Sequence, residues 1–232
     1  MNFFDVIDAR RSVRKFKPTL VPDEVIHKAL NAALKAPNSS NLQPWEFYWV
    51  KSPKKKADLI EACLFQGTAK TASHLVVAVS RLDTWKRNRD ILVQQMQESG
   101  PLTPQVKDYY FKIIPFIYTQ DPFGILSLIK YLGLNIYGLF KPMFRKPVSQ
   151  ADLFEVVTKS TALACENFML AITAQGFGCC PMEGFDESRV KNILNLNSKS
   201  HVVMVLGVGE IDPAGIFGPQ YRVDPKLVIH EI

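Results

Sequence analysis

Apolar positions recur along this chain with two periods, and the period decides which element each stretch predicts. Helical spacing, with its start and stop signals, predicts helices after Asn2 and over residues 22–35, 53–63, 149–176 and 186–194. Compact apolar runs predict strands over 47–50, 75–80 and 201–208, and a glycine-rich turn is expected from 176 onward. The pattern therefore indicates a domain that mixes helices with strands.

Two further stretches read as extended chain. Between Arg10 and Phe16, a period of two would place Arg10, Ser12, Arg14 and Phe16 on one face and Arg11, Val13 and Lys15 on the other. The tail, residues 225–232, is half apolar and predicts an edge strand in need of a partner.

Residues 81–148 have the least regular pattern, and we expect them to form a helical lid or insert. Residues 123–140 are rich in leucine, isoleucine and aromatic residues, yet Lys130, Asn135 and three glycines argue against a transmembrane helix. Three basic residues follow directly: Lys141, Arg145 and Lys146. They would allow a weak membrane-surface contact through residues 123–146, and an apolar lid or packing helix is the alternative.

Composition limits the class of protein. With 232 residues and 47% hydrophobic side chains, the chain suits one core, so we predict a single domain over 1–232. The net charge of +6 is modest and dispersed, and we expect no nucleic-acid partner. Four cysteines without a CxxC pair, and no secretory leader pattern, favour a cytoplasmic location. The histidines lack metal-binding spacing, so no metal site is predicted.

Common catalytic motifs are incomplete or missing in the sequence. GFGCCP from Gly176 and GVGEID from Gly207 approach a dinucleotide fingerprint, but Pro181 and Asp212 stand in place of its third glycine. Neither a Walker loop nor a GxSxG elbow occurs in the sequence. Any chemistry must therefore reside in other stretches.

Four such stretches, taken together, resemble the nitroreductase family of FMN-dependent NAD(P)H oxidoreductases. They are ARRSVRKF (9–16), APNSSNLQPWEF (36–47), GFGCCPMEGFD (176–186) and GPQYR (218–222). The resemblance, which leaves residues 81–148 unmatched, implies an α+β fold with an antiparallel sheet wrapped by helices. It further implies a homodimer with an exchanged C-terminal strand and with flavin mononucleotide (FMN) held between the subunits.

For the flavin phosphate, the resemblance indicates Arg10 and Arg222, with the Ser12 hydroxyl nearby. Bidentate arginine suits a doubly charged phosphate. Gln220 stands where the family often has a basic residue, so phosphate binding is expected to be weaker here. Arg11 would compensate, although the alternation of the segment points it away.

Around the flavin ring, the resemblance places Arg14 at the pyrimidine edge, where a fixed cation would favour reduction. The main chain of Glu183 and Gly184 would face the flavin N5, because glycine lets a backbone approach a flat ring closely. Three further residues are expected at the ring or its edge: Pro181, Met182 and Gln66. For Met182, a plain core role is the alternative.

The stretch 36–47 is expected to do more than end a helix at Pro37. By resemblance, it crosses the dimer interface to the partner's flavin. The contacting positions would be Pro37, Asn38, Ser39, Asn41 and, near the ribityl chain, Gln43. Trp45 reads as a packing anchor for the loop.

The implied activity is hydride transfer from NADH or NADPH to FMN, followed by transfer of two electrons to a nitroaromatic, quinone or similar small-molecule acceptor. One site for both substrates predicts ping-pong kinetics. No catalytic side chain is assigned, because the flavin carries the chemistry. The alternatives are a related reductase of other chemistry, such as dehalogenation or enone reduction, and a flavin-binding protein without turnover.

Overall fold

One antiparallel sheet organises the chain, and the computed structural model describes residues 2–232 of it. The strands are β1 (Trp45–Trp49), β2 (His74–Arg81), β3 (Gly178–Met182) and β4 (Ser200–Gly209). Their order across the sheet is β1, β2, β4, β3. Around them lie α1 (Phe3–Ala9), α2 (Asp23–Ala33), α3 (Pro53–Ala62), α4 (Gly67–Thr71), α5 (Trp85–Glu98), α6 (Pro104–Asp108), α7 (Ile114–Tyr118), α8 (Ile125–Tyr137), α9 (Gln150–Ala174) and α10 (Glu187–Leu194). The expected α+β fold is confirmed.

The central strands β2 and β4 are apolar at nearly every position because helices cover both faces of the sheet. Side chains alternate between the two faces along each strand. Val76 and Leu206 therefore pack with α2 and α9, whereas Val77 and Val205 pack with α3 and α10. A third cluster joins α5 and α7 to the start of α9.

Most elements predicted from apolar spacing are present, and their start signals work as expected. Asn2 caps α1 and Ser149 caps α9, each in a capping box with an acidic residue three positions on. Asp186 likewise caps α10. One strand was missed: β3 lies in the expected glycine-rich turn. Pro181 is tolerated in β3 because an edge strand pairs on one side only.

The two segments expected to be extended need correction. Phe16 does not share a face with Arg10, Ser12 and Arg14, because it is buried in the same core cluster as Val13. In the tail, a short 3₁₀ turn (Pro225–Leu227) replaces the expected strand, and residues 221–232 are exposed. Exchange of a C-terminal strand with a second chain stays a prediction.

Residues 81–148 are mainly helical, from α5 to α8, with a π-helical turn at Tyr109–Ile113. A role as a lid stays a prediction. Within residues 2–232, no helix combines the length and the apolar character needed to cross a membrane.

Candidate functional site

The arginine-rich segment after α1 runs along the outer edge of β3. The amide of Val13 donates to the carbonyl of Cys179 at 3.2 Å, and Ser12 forms a parallel bridge with the same residue. Gly209 makes room for the segment, since a Cβ there would lie 2.5 Å from Cγ of Phe16. Packing of the Phe16 side chain on the main chain of Gly209 therefore requires glycine at this point, and it helps to hold the segment from Arg10 to Phe16 against the sheet.

The lysines of this segment are paired with carboxylates, whereas its arginines are not. Lys15 pairs with Asp212 at 2.9 Å, and Lys17 pairs with Glu210 at 2.7 Å. No ion pair within residues 2–232 joins a carboxylate to any of three guanidinium groups, those of Arg10, Arg11 and Arg14. Three uncompensated cations along one sheet edge suit a multiply charged anion such as phosphate.

The C-terminal segment returns to the same edge. Arg11 donates from Nη2 to the carbonyl of Gly218, so it binds the tail. Alternation predicted that Arg11 points away from the other arginines, and its observed role is to hold the segment that carries Arg222. The Arg222 side chain is exposed and donates to the carbonyl of Tyr221 at 2.7 Å.

Gln220 also holds the tail at this edge. Its Nε2 donates to the carbonyls of Asp8 and Arg10, both at 2.9 Å. The amide therefore fixes the backbone of Arg10 from the tail side. Gln220 thus ties the tail to the end of α1 and to Arg10, a contact that its sequence position did not reveal.

Arg14 is fixed at its backbone while its charge stays accessible. Its amide donates to the carbonyl of Gly215 at 2.9 Å, and its guanidinium lies 5.2 Å from the ring centroid of Phe217. Gly215 packs so closely on Lys15 that a Cβ would meet the Lys15 carbonyl oxygen at 2.4 Å. The backbone position of Arg14 is thus tightly specified.

Gln66 closes the turn that follows β3. Its Nε2 donates to the carbonyl of Gly184 at 2.6 Å and to that of Cys63 at 3.1 Å. The next residue, Gly67, lies against the main chain of Arg14, with a Cβ position 3.1 Å from its carbonyl oxygen. The structure therefore brings Gln66, Arg14 and Gly184 together, although they are far apart in sequence.

The residues that lead into this turn differ in exposure. Glu183 and Gly184 are exposed, and Pro181 is half-buried. Met182 is only 3% exposed and packs in the core with Val205. The Met182 side chain therefore has the core role, and contact of residue 182 with a cofactor stays a prediction.

The adjacent Cys179 and Cys180 are buried thiols. Burial raises the pKa of both, well above the usual value for Cys179, and so both stay protonated at neutral pH. A thiol in this form is a poor nucleophile. Cys179 packs in the core with Met204 and Val208, and Cys180 is only 5% exposed.

The loop 37–43 forms a second group, and its backbone is strained. Ser40, Asn41 and Gln43 have φ angles of 58°, 54° and 46°. Left-handed conformations cost non-glycine residues on the order of 1 kcal/mol each and concentrate at functional sites. Asn38 holds the conformation, since its Oδ1 accepts a hydrogen bond from the Gln43 amide at 2.8 Å.

Tyrosines from the region 81–148 support this loop. The Tyr109 hydroxyl lies 2.7 Å from Oγ of Ser40, and Tyr110 donates to the Ser40 carbonyl at 3.2 Å. The hydroxyl of Tyr118 is buried beside Ser39, and no hydrogen-bond partner meets it within residues 2–232. Sequence reasoning missed these tyrosines, because the contacts join positions about seventy residues apart, with no local signal.

The two groups lie on opposite edges of the sheet. The loop leads directly into β1, whereas the arginines border β3, and β2 and β4 stand between them. Three strand spacings amount to about 14 Å. Within one chain, the structure brings together the arginines, Gln66 and Gly184, and it leaves the loop residues apart from them.

Two clefts of the described chain involve neither group. One, of about 390 Å³, lies between α8 and the start of α9, and the other, of about 470 Å³, is lined by residues from Leu82 to Lys86 and from Tyr118 to Pro122. At the β3 edge, Arg14, Glu183 and Gly184 are exposed in the single chain.

Comparisons with known proteins match this architecture. The family model described as "Nitroreductase family" matches residues 7–210. A Bacillus subtilis protein, YdgI, which bears the provisional name NAD(P)H nitroreductase, is 25% identical over 228 residues, covering 96% of this chain and 95% of that protein.

Two solved structures share the fold. One is an Exiguobacterium sibiricum protein solved in complex with FMN, with a TM-score of 0.73 at 20% identity, covering 100% of this chain and 98% of that one. The other is CLA-ER, an enone reductase of gut-bacterial fatty-acid saturation, with a TM-score of 0.76 at 21% identity and the same coverage.

Proposed function

Because this chain belongs to the nitroreductase family, we propose that it is an FMN-dependent oxidoreductase that takes hydride from NADH or NADPH and reduces a conjugated organic acceptor. One observation supports this most. Arginines without carboxylate partners stand beside an exposed Glu183–Gly184 turn that Gln66 holds in place. This edge offers charge for a phosphate and open backbone for a flat ring.

The residues present fit a flavin phosphate. Arg10 and Arg222 supply guanidinium groups and Ser12 supplies a hydroxyl donor, all on or beside the segment that borders β3. Gln220 and Arg11 keep the tail against this segment, so that Arg222 stays near Arg10. Charge-assisted hydrogen bonds from arginine are about twice as strong as neutral ones.

The residues around the turn fit an isoalloxazine ring. When bound, FMN supplies a ring nitrogen that accepts and returns hydride. Gly184 presents main chain without a side chain, and Gln66 fixes its carbonyl. The Arg14 guanidinium, braced by Phe217, places positive charge where a reduced ring carries negative charge. Solvent at this open edge provides protons.

We place the loop 37–43 in the partner subunit's site. The loop leads into β1, which lies about 14 Å across the sheet from β3, the strand that the arginines of its own chain border. A twofold dimer is therefore the simplest way to use both groups at one cofactor. The loop's rigid backbone and the unsatisfied Tyr118 hydroxyl beside Ser39 suit a polar ligand such as a ribityl chain. The exposed tail would cover the partner in the same dimer.

The acceptor is proposed to be a nitroaromatic, a quinone or an enone that occupies the place of the nicotinamide. A single site used by both substrates predicts ping-pong kinetics, with parallel double-reciprocal lines. A panel of the three acceptor classes, with halogenated phenols added, identifies the reaction. The shared fold with CLA-ER is a reason to include enones.

The visible spectrum of the purified protein tests the activity. We expect a yellow protein that bleaches within one turnover time after NADH or NADPH is added and regains its colour with an acceptor. Protein that is colourless and takes up no FMN contradicts the proposal. Protein that binds FMN but bleaches only over hours is a flavin-binding protein without turnover.

Mixed dimers test which subunit contributes the loop. One chain carries Arg10→Ala and Arg14→Ala, and the other carries Ser39→Ala and Asn41→Gly, where glycine keeps the left-handed backbone. If the groups come from different subunits, the mixed dimer keeps one intact site and binds one FMN per two chains. If both groups serve one subunit, every site in the mixed dimer is damaged, and no tight binding remains.

A further inference from the structure

Helix α8 exposes the side that a surface helix normally buries. At 100° per residue, five apolar residues fall in one stripe about 100° wide. This apolar face consists of Ile125, Leu128, Ile129, Leu132 and Ile136. All five side chains are 51–61% exposed.

Polar contacts hold α8 in this orientation. Lys130, the one charged residue of α8, is only 4% exposed. Its Nζ donates to the carbonyls of Thr119 at 2.6 Å and Ile117 at 3.4 Å, at the end of α7, where the helix dipole favours a cation. Ser127 donates to Oε1 of Gln120 at 2.7 Å. Rotating α8 to bury the apolar face would break these hydrogen bonds. The bonds therefore stabilise the orientation in which the apolar face is exposed.

The apolar surface continues into a basic segment. Beyond the helix ends, Phe123, Leu139 and Phe140 are 75–87% exposed. Three exposed basic residues follow: Lys141, Arg145 and Lys146. Lys146 pairs with Asp152 at 3.2 Å, whereas no ion pair within residues 2–232 involves Lys141 or Arg145, so two uncompensated cations border the apolar face.

We propose that α8 and residues 138–146 bind the surface of an anionic lipid bilayer. The apolar face would enter the boundary between headgroups and acyl chains, and the basic side chains would meet lipid phosphates. With 13 residues, α8 is about 20 Å long, which is less than the roughly 30 Å hydrocarbon thickness. The helix therefore lies along the surface.

Charge selects lipid over a second copy of this chain as the occupant. In a twofold contact with the apolar face on the axis, each copy would bring the same Lys141 and Arg145, and residues 125–136 offer no carboxylate to pair with them. An anionic bilayer supplies phosphates for both cations. The proposal is independent of FMN binding, because it involves none of the residues assigned to the cofactor.

Co-sedimentation of the purified full-length protein with lipid vesicles tests this. Vesicles of phosphatidylcholine alone are compared with vesicles that contain about a third phosphatidylglycerol, at low and at physiological salt. We expect binding to the anionic vesicles, at least about fivefold weaker binding to the neutral ones, and weakening by salt.

Two matched pairs of variants separate apolar contact from charge. Leu128→Gln with Leu132→Gln should lower the partition coefficient at least about tenfold, whereas Leu20→Gln with Leu34→Gln, also exposed leucines, should leave it unchanged. Lys141→Glu removes one cation and adds one anion, so it should lower the partition coefficient about tenfold. Lys35→Glu, the control at another exposed lysine, should change the partition coefficient less than threefold. All four leucines are solvent-exposed, so folding is preserved.

Several results would overturn the proposal. Wild-type protein that stays in the supernatant with anionic vesicles at low salt does so directly. Equal losses in the test and control variants would show non-specific attraction. If the Leu128→Gln and Leu132→Gln protein instead has a lower mass by sedimentation equilibrium, and the wild type does not bind vesicles, the apolar face contacts a second copy.

Discussion

The contact between Gln66 and Gly184 allows a direct test of how the chain presents its backbone to the flavin. Replacing Gln66 by Ala removes hydrogen bonds of 2.6 Å and 3.1 Å to the carbonyls of Gly184 and Cys63. At about 1 kcal/mol net for each bond, the free energy of unfolding should fall by roughly 1–2 kcal/mol. For a domain of this size, this lowers Tm by about 2–8 °C.

The same variant should slow flavin reduction. Without Gln66, the turn that carries Gly184 loses its restraint, and a loss of about 1 kcal/mol in positioning lowers the rate about fivefold. Stopped-flow bleaching of the bound flavin by saturating NADH or NADPH measures this rate. FMN affinity should change little, because the arginines that would bind the phosphate remain.

Gln175→Ala provides a matched control. Its Nε2 also donates to two backbone carbonyls, those of Val25 at 3.1 Å and Ala171 at 2.9 Å, and neither bond involves Gln66, Arg14 or Gly184. It should lower Tm by a similar amount and leave the reduction rate unchanged. Equal rates in the two variants would refute the positioning role of Gln66, whatever their stabilities.

Three further predictions follow from single residues. In a fluorescence titration, Arg10→Ala should weaken FMN binding about 10–100-fold and leave the binding of riboflavin, which lacks the phosphate, unchanged. The control variant Arg87→Ala should change neither affinity. Equal losses for both flavins would exclude a role of Arg10 in phosphate binding. Hydrogen bonds from Arg81 lower the pKa of Asp83 to about 2. Above its unfolded pKa of about 4, Asp83 therefore contributes roughly 2 kcal/mol to the free energy of unfolding, and this contribution is lost as the pH falls towards 2. In urea melts, the stability of Asp83→Asn should depend less on acid pH than that of the wild type. Identical pH slopes for the two proteins would count against this role. Gln43→Gly should raise Tm by relieving a φ of 46° while FMN affinity falls, and an unchanged or lower Tm would show that the loop is not strained.

Local spacing predicted the parts of the fold that local forces determine. The helix α9 followed from its capping box and its 3.6-residue period, and β2 and β4 followed from uninterrupted apolar runs. Strand β3 could not be predicted in this way, because glycine and proline are ordinary turn residues. Its strand conformation depends on hydrogen bonds to β4, which lies about twenty residues further along the chain.

In the candidate site, too, local motifs could be predicted from the sequence and long-range contacts could not. The arginines and the glycine turn are visible as motifs, since each is a short run of sequence. The Gln66 contact joins residues 118 positions apart, and the tyrosine support of Ser40 spans 69 and 70 positions. From the sequence, Gln220 was expected to weaken phosphate binding, because the family often has a basic residue at this position. In the structure its side-chain amide donates two hydrogen bonds to backbone carbonyls. A lysine or arginine that reached for a phosphate would lose these bonds.

Helix α8 shows a further limit of reading periodicity. The spacing of its apolar residues identifies one face, but it does not say whether that face points to the core or to the surroundings. The direction is set by Lys130, whose ammonium group is bound by carbonyls at the end of α7. Burying a lysine lowers stability less than usual when carbonyls at a helix end accept its hydrogen bonds. With Lys130 buried on one side of α8, the apolar side faces outward. An exposed apolar stripe costs stability in water, and the proposed contact with lipid would offset this cost. The orientation of α8 thus supports the proposed membrane-surface role, whereas its sequence pattern alone favours an apolar lid or packing helix.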